Sequence, residues 1–247
     1  MPKVSVLIAV YNGAETLEKA IVSCLEQSYS DNELIIIDGG STDGTQDILN
    51  KYDAQIDYWV SEKDRGIYHA WNKAREHATG EWICYIGADD YWAYPDAIKD
   101  LVNEGVKRNV ELVSGKVAIV DAQHMVKREW GKAWDWSEIK RHHCIAHPGM
   151  LHHKSCYERN GSYNENYRIA GDYDFTLRLG KATKAAFIDR VFVCMGDTGL
   201  SHSMVNKTLL EVREIQAAHP EIGSLKANQN FFHTRLVVSV KKIMGLL

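Results

Sequence analysis

The sequence predicts an α/β fold with a mainly parallel sheet flanked by helices. Between Val4 and Ala78, short β-branched runs alternate with stretches whose apolar residues recur every three or four positions, a pattern typical of βαβ units. Acidic residues also follow these runs repeatedly, as they do where strands of an open α/β sheet lead into ligand-binding loops.

The elements of this predicted half follow one another along the chain. Val4 to Val10 is a buried first strand, too short for a signal peptide or a membrane span. Residues 14–27 form an amphipathic helix, and Leu34 to Ile37 a fully buried strand. The helix stripe consists of Leu17, Ala20, Ile21, Cys24 and Leu25.

The stretch "GGSTDGTQDIL" ends the second strand and starts a second helix, with Thr42 or Asp43 as its N-cap. Tyr58 to Val60 is a third strand, and Trp82 to Ile86 a fourth. The helix between these strands ends near Gly80. Its apolar face consists of Ile67, Ala70, Trp71 and Ala74.

The pattern weakens after Asn109. "ELVSGKVAIVDAQHMVKREWG" predicts strands joined by a turn, and "NENYRIAGDYDFTLRLGKA" a loop that enters a helix near Asp172. A last helical pattern holds Leu209, Val212, Ile215 and Met204. We expect one domain with a first half over 1–109 and a second half over 110–202, followed by a helical appendage over 203–247.

Composition narrows the class of protein. The chain has 247 residues, 45% hydrophobic and 25% charged, with a net charge of −4, as in an ordinary globular protein without a basic surface for nucleic acid. Its five cysteines form no CxxC pair and are odd in number, which predicts free thiols and a cytoplasmic location.

The tail over 231–247 is apolar on most sides but interrupted by Arg235, Lys241 and Lys242. It is too short to span a bilayer, so it either packs on its own domain or a second copy, or lies on the inner face of the membrane.

Asp89 and Asp90 stand side by side after the fourth strand. Paired carboxylates suit Mg²⁺ or Mn²⁺ when a substrate phosphate supplies further oxygen ligands. In extended backbone they would point to opposite sides, so one would bind metal and the other a sugar hydroxyl or a loop. The alternative is a capped surface turn before Pro95.

Asp38 and Asp64 follow the second and third strands and can accept hydrogen bonds from a base or a ribose. Neighbouring glycines, Gly39, Gly40, Gly44 and Gly66, would let a ligand approach the backbone. The alternative is two solvated loop acids. No GxGxxG spacing and no GK[ST] loop occurs, so NAD-binding and P-loop functions are excluded.

Four segments together resemble glycosyltransferase family 2, in consistent order over about the first 200 residues. They are "VSVLIAVYNGAETLEKAIVSCLEQSY", "ELIIIDGGSTDGT", "DRGIYHAWNKAREHATGEWICYIGADD" and "HPGMLHHKSCYERNGSYNENYRIAGDYDFTLRL". The resemblance, strongest to bacterial enzymes of surface polysaccharide or glycolipid synthesis, implies a GT-A fold with C-terminal helices, a nucleoside diphosphate sugar donor, Mn²⁺ or Mg²⁺, and inversion at the anomeric carbon.

The resemblance implies that 1–109 is the nucleotide-sugar-binding half and 110–202 the acceptor-binding half, and it implies roles for single residues. The nucleotide-sugar site would include Ala9, Tyr11, Asp38, Asp64, Gly66, Asn72, Asp89 and Asp90. "GADD" is similar to the DXD motif, with Asp89 as first metal ligand, Asp90 as second, and Gly87 where many relatives have aspartate. Asp172 matches the general base, and the preceding Gly171 is often acidic in the family.

Acceptor contacts are predicted from a histidine-rich stretch and from tryptophans. His147, within a family-like "HP" segment, and Trp130 would shape the acceptor side, although packing is the alternative for the indole. A zinc site in "HHCIAHPGMLHH" is disfavoured because the spacings fit no finger pattern. His202 is a candidate third metal ligand, but a loop histidine that binds no metal is favoured. Asp174 would be a structural acid and Arg178 a pairing partner near Asp172.

These patterns predict an inverting, metal-dependent hexosyltransferase that uses an NDP-sugar, with UDP the commoner nucleotide and GDP the other, and a glycan or lipid-linked acceptor. A sugar nucleotidyltransferase is one alternative, but "AVYNGAETL" lacks its Gly-rich, Arg-bearing loop. A catalytically silent binder is the other. The sugar, the linkage and the oligomeric state stay open.

Overall fold

The structure is a computed structural model that describes residues 1–197 and 204–244, without the side chains of 241–243. Within these ranges the strands are β1 (Val4–Val10), β2 (Asn32–Asp38), β3 (Tyr58–Ser61), β4 (Trp82–Gly87), β5 (Asp90–Trp92), β6 (Leu112–Val120), β7 (Val126–Trp130), β8 (Leu151–His153) and β9 (Ala185–Gly196). The helices are α1 (Leu17–Leu25), α2 (Thr45–Lys51), α3 (Ile67–His77), α4 (Ala97–Arg108), α5 (Trp136–Ile139), α6 (Ser155–Asn160), α7 (Gly171–Leu179), α8 (Val205–Ala218) and α9 (Gly223–Ile243).

One mixed sheet runs through the molecule in the order β3-β2-β1-β4-β8-β6-β9-β5, with β7 paired to β6. The first four strands are parallel, which confirms the predicted α/β class. β8 is antiparallel to both β4 and β6, so the sheet is continuous across residue 109. The division into three regions stays a prediction.

Each face of the sheet buries its own apolar layer. Val6 and Ile8 of β1 pack towards α1 and α4, together with Ile21 and Leu101. Leu7 points to the other face, where Trp71 of α3 and Phe175 of α7 join the core. Because both faces of β1 are buried, its sequence is a nearly unbroken apolar run.

A third apolar cluster joins the C-terminal helices to the domain. Ile215 of α8 packs with Trp136 and Ile139 of α5 and with Tyr173 of α7. Tyr173 donates a hydrogen bond to the carbonyl of Ile139 (2.7 Å) and accepts one from the Gln216 amide (2.8 Å). The C-terminal helices therefore pack beside the helix that carries Asp172.

Several element boundaries differ from the prediction. α2 begins at Thr45 after Gly44, not after Thr42 or Asp43, because Gly44 has a φ of 101° and Asp43 bonds the Thr45 backbone instead. α1 is shorter than predicted, and α4 was not predicted.

All five cysteines are free thiols, as predicted. Among the described residues, no helix is long and apolar enough to cross a membrane.

Candidate active site

The carboxyl ends of the four parallel strands meet at one rim of the sheet. Tyr11 follows β1, Gly39 follows β2 and Asp64 follows β3. A methyl group built on Gly39 would lie 2.8 Å from Asp64 Oδ2 and 3.3 Å from the Tyr11 ring. Tyr11 is exposed and Asp64 half-buried, so this corner can receive a planar ligand and accept a hydrogen bond from it.

Gly66 shapes the rim next to Asp64. Its backbone N–H donates to Asp64 Oδ1 (2.9 Å), and its φ of 129° is in the region that favours glycine. The exposed side chain of Arg168 covers it, with Nη1 2.6 Å from the place a Cβ would take. The space predicted for ligand is therefore next to a cation.

Asp38 and Asn72 were predicted to contact the donor, but in the structure both side chains form hydrogen bonds with neighbouring loops. Asp38 is fully buried and accepts hydrogen bonds from the Ser41 backbone (3.0 Å) and from the Ser41 and Ser61 hydroxyls. Asn72 exchanges two 3.0 Å hydrogen bonds with the Tyr163 backbone. These partners leave both side chains little capacity for ligand.

Asp89 and Asp90 lie on the same side of Gly87, contrary to the prediction of opposite sides. Ala88 and Asp89 form a turn rather than extended strand, which folds both carboxylates back. A Cβ at Gly87 would lie 2.8 Å from Asp89 Oδ1 and 3.0 Å from Asp90 Oδ2. An aspartate at position 87 therefore does not fit this turn unless the pair moves.

The two carboxylates differ in their surroundings. Asp90 is buried and accepts one hydrogen bond from the Gly87 N–H (2.6 Å), while its Oδ1 has no partner among the described residues. Burial, reinforced by the Asp89 charge, raises the pKa of Asp90 to about 8. A buried carboxylate with an unpartnered oxygen beside a second carboxylate is suited to a hard divalent cation.

Asp89 and Asp90 form a pair of possible metal ligands at the Gly87 turn, and no third ligand is grouped with them among the described residues. No three His, Cys, Asp or Glu side chains among residues 1–197 and 204–244 are grouped so as to hold a metal. A cation held by Asp89 and Asp90 would thus need oxygens from its substrate, as predicted from sequence. His202 lies outside the described residues.

Asp172 lies in the first turn of α7, with its side chain partly exposed. Its Oδ1 accepts a hydrogen bond from the Tyr173 N–H (2.8 Å) and lies 3.4 Å from the Tyr68 hydroxyl. Burial, together with the Asp172 charge, raises the pKa of Tyr68 well above its usual value, so this hydroxyl stays protonated. Oδ2 lies 3.8 Å from His143 Nδ1.

Tyr68 also explains the glycine before Asp172. A Cβ on Gly171 would lie 2.7 Å from the Tyr68 ring. The acidic residue common at this position in the resembling family would therefore collide with an aromatic ring that this chain packs there.

Asp172 is linked to the strand ends through the start of α3. Gly87 pairs with Ala9 at the end of β1, and Asp64, after β3, accepts a hydrogen bond from the Gly66 N–H. α3 then starts, and its Tyr68 hydroxyl lies 3.4 Å from Asp172 Oδ1. The predicted site residues that lie at or after these strand ends are Ala9, Tyr11, Asp64, Gly66, Asp89 and Asp90. That Asp172 faces the carboxylate pair stays a prediction.

The two predicted acceptor-side residues are placed differently. Trp130, half-buried at the end of β7, meets the His143 ring edge-on at 5.8 Å and thus lies near Asp172. His147 is instead buried, stacked on Trp71 (5.0 Å) and bonded to the Tyr163 hydroxyl (2.9 Å). Burial lowers the pKa of His147 well below its usual value, so it is a neutral core residue without access to an acceptor.

Asp174 and Arg178, both within α7, were assigned structural roles from sequence. Arg178 pairs with Asp174 (2.9 Å) and donates to the Ser162 carbonyl (2.8 Å). They fasten α7 to the preceding loop and do not approach Asp172 directly.

Glu211 of α8 holds the loop before Asp172, and sequence reasoning missed it. Its carboxylate accepts hydrogen bonds from the N–H groups of Arg168 (3.0 Å), Ile169 (2.8 Å) and Ala170 (2.9 Å). No short motif marks a contact between residues more than 40 positions apart. A carboxylate bound by three backbone donors fixes the start of α7.

We expect Glu211→Ala to destabilise the protein by about 1.5–3 kcal/mol, because three backbone donors lose a charged acceptor. Sugar transfer should slow while donor binding is kept, since the Asp172 loop shifts and the strand ends do not. Melting curves and kcat against donor KM measure this. Glu214→Ala, an exposed acid on the same helix, is the control, and equal behaviour of the two variants would contradict the role of Glu211.

Comparisons with known proteins agree with this architecture. The model of the family described as "Glycosyl transferase family 2" matches residues 5–158. A PGL/p-HBAD biosynthesis glycosyltransferase of Mycobacterium bovis is 29% identical over 217 residues, covering 85% of this chain and 83% of its own length. The putative teichuronic acid biosynthesis glycosyltransferase TuaG of Bacillus subtilis is 40% identical over 94 residues, or 37% of each chain.

Two solved structures share the fold. S. aureus TarS 1-349 in complex with UDP-GlcNAc matches with a TM-score of 0.71 at 17% identity, over 93% of this chain and 70% of that one. Mannosyltransferase PcManGT from Pyrobaculum calidifontis, in complex with GDP-Man and Mn²⁺, matches with a TM-score of 0.68 at 20% identity, over 94% and 69%. The fold is therefore of the GT-A type that the sequence predicted.

Proposed function

Because the chain belongs to glycosyl transferase family 2 and is a glycosyltransferase of bacterial glycan synthesis, we propose that it transfers a hexose from a nucleoside diphosphate sugar, with inversion. The acceptor would be a hydroxyl of a glycan or lipid-linked intermediate. The observation that carries the proposal is the Asp89 and Asp90 pair at the end of β4, with its unpartnered buried oxygen. We propose that Asp172 faces this pair across the site.

The donor would lie across the strand ends. Tyr11 and Asp64 would face the base, and the diphosphate would reach the turn at Gly87. Asp89 and Asp90 would hold Mn²⁺ or Mg²⁺, since a buried carboxylate with an open oxygen suits a hard cation. When bound, that cation would neutralise the charge of the departing diphosphate.

Asp172 would act as general base towards the acceptor. Its Oδ1 is held by the Tyr173 N–H, which leaves Oδ2 to take the hydroxyl proton. Tyr68 and His143 are positioning residues around it. With one base and a leaving group on opposite faces of the sugar, direct displacement inverts the anomeric carbon.

The neighbouring structures support a nucleoside diphosphate sugar and leave the base open. One holds UDP-GlcNAc and the other GDP-Man with Mn²⁺. The mycobacterial relative is named for PGL/p-HBAD biosynthesis and the B. subtilis relative for teichuronic acid biosynthesis, and the second name supports a glycan acceptor. We place the reaction in the cytoplasm, in keeping with the free thiols, and at the inner face of the membrane.

The test is a thermal-shift titration with UDP-sugars and GDP-sugars, with and without Mn²⁺. A ligand that binds only the folded chain stabilises it by mass action, by about 2.7 kcal/mol when the ligand concentration is a hundred times Kd. This stabilisation raises the melting temperature. We expect a shift with one nucleotide family that requires Mn²⁺ or Mg²⁺. A protein that responds to neither nucleotide, or equally well in chelator, would contradict the proposal.

A further inference from the structure

The last helix carries an apolar stripe that faces solvent. Leu225, Phe232, Leu236 and Val240 are spaced by seven, four and four residues, so they share one face over about 22 Å of α9. Their exposed fractions are 76%, 65%, 65% and 45%. We call these four residues the α9 stripe.

The α9 stripe lies away from the side on which α9 packs. Ala227 is fully buried, and the Phe231 ring lies 5.7 Å from the Arg213 guanidinium of α8. Asn228 accepts a 2.6 Å hydrogen bond from the same arginine. Packing on α8 therefore leaves the stripe uncovered, and an exposed apolar surface of this kind marks an interaction site.

The charges of α9 are all of one sign. Over 223–243 the helix has Lys226, Arg235, Lys241 and Lys242 and no aspartate or glutamate, although the whole chain has a net charge of −4. The helical positions of Lys226 and Arg235 lie on opposite sides of the stripe. Cationic side chains beside an apolar face are typical of helices that lie in a lipid interface.

We propose that α9 docks the protein on the surface of an anionic lipid bilayer, with the α9 stripe at the acyl boundary and the flanking cations at the headgroups. A second copy of this chain is the other occupant to consider. Pairing two α9 helices would bring like charges together with no carboxylate on either helix, whereas an anionic surface complements them.

Docking through α9 would hold the enzyme at the surface that carries a lipid-linked acceptor. α8 joins α9 to the candidate site, because it packs on α9 and its Glu211 holds the Asp172 loop. This consequence rests on the proposed function, and the docking itself does not.

Vesicle flotation of the full chain tests the docking. We expect binding to vesicles of phosphatidylcholine mixed with phosphatidylglycerol, and at least about tenfold weaker binding to phosphatidylcholine alone. Leu236→Ser and Phe232→Ser should each weaken binding by about tenfold or more. Both side chains are exposed, so the variants should keep the melting temperature.

Met125→Ser is the matched control, since Met125 is 66% exposed but lies before β7, and it should bind as the unchanged chain does. Lys226→Gln combined with Arg235→Gln should remove the preference for anionic vesicles. No binding to anionic vesicles, or binding that Leu236→Ser leaves intact, would overturn the proposal. The proposal would also be overturned if light scattering showed a dimer that Leu236→Ser dissociates, and the chain did not bind vesicles.

Donor binding is measured on the same samples. Vesicle binding without any nucleotide response would contradict the proposed function and support the docking. A metal-dependent nucleotide response without vesicle binding would support the proposed function and contradict the docking.

Discussion

An Asp172→Asn variant is expected to bind donor sugar normally and to transfer it about 10²- to 10⁴-fold more slowly, the usual contribution of a general base. Asparagine has nearly the same shape and its side-chain oxygen still accepts the Tyr173 N–H. It cannot take the acceptor proton. The measurement is kcat for transfer, set beside the thermal shift given by donor and Mn²⁺.

Asp174→Asn is the matched control, because Asp174 lies in the same helical turn and pairs with Arg178 instead of facing the rim. It should lower the melting temperature and leave kcat near normal. If Asp172→Asn transfers sugar at the normal rate, the assignment of the base is wrong. If the unchanged chain binds donor and neither transfers nor hydrolyses it, the protein is a silent binder.

In the absence of metal, an Asp90→Asn variant is expected to be more stable than the unchanged chain. It is also expected to lose the stabilisation that bound metal gives. The buried Asp90 oxygen has no partner and its pKa is raised to about 8, so ionising it costs free energy in the metal-free fold. Removing that cost should stabilise the protein at pH 8 by about 1–3 kcal/mol. For a chain of this size each kcal/mol is about 2–4 °C in melting temperature.

The sign of the pH dependence follows from the same shift. An acid whose pKa is higher in the folded than in the unfolded chain makes the folded state bind more protons. Stability of the metal-free protein should therefore fall as pH rises from about 4 to about 8. Mn²⁺ should restore it most at the upper end of this range, where Asp90 gives up its proton most readily.

Melting curves at pH 6 and pH 8, with Mn²⁺ or with chelator, check both statements. Asp96→Asn is the control, since Asp96 is an exposed acid a few residues further on. An Asp90→Asn protein that still gains stability from Mn²⁺, or a metal-free protein whose stability rises over this pH range, would contradict the assignment.

The parallel half of the fold was predictable because buried strands have a local signature. β1 and β4 are apolar runs, and α1 and α3 carry their core residues every three or four positions. The same signal was present in α4, where Ile98, Leu101 and Val102 are buried, and it was overlooked.

The placement of candidate site residues was predictable only where it depends on the chain nearby. The positions of Asp172 in the first turn of a helix and of Asp64 after a strand could be predicted from motif and order along the chain. The turn that brings Asp89 and Asp90 together depends on backbone that departs from a strand for two residues. The burial of His147 depends on Trp71 and Tyr163, which lie far away in sequence.

The contact between Glu211 and the Asp172 loop has a consequence for engineering. Residues 203–247 are not a modular tail that can be cut off or exchanged at will, because one carboxylate in them completes the hydrogen bonding of the loop before α7. A chimaera that joins residues 1–197 of this chain to the helices of a relative would need an acid at the matching position. Without one, the backbone N–H groups of the Asp172 loop would lose their acceptor.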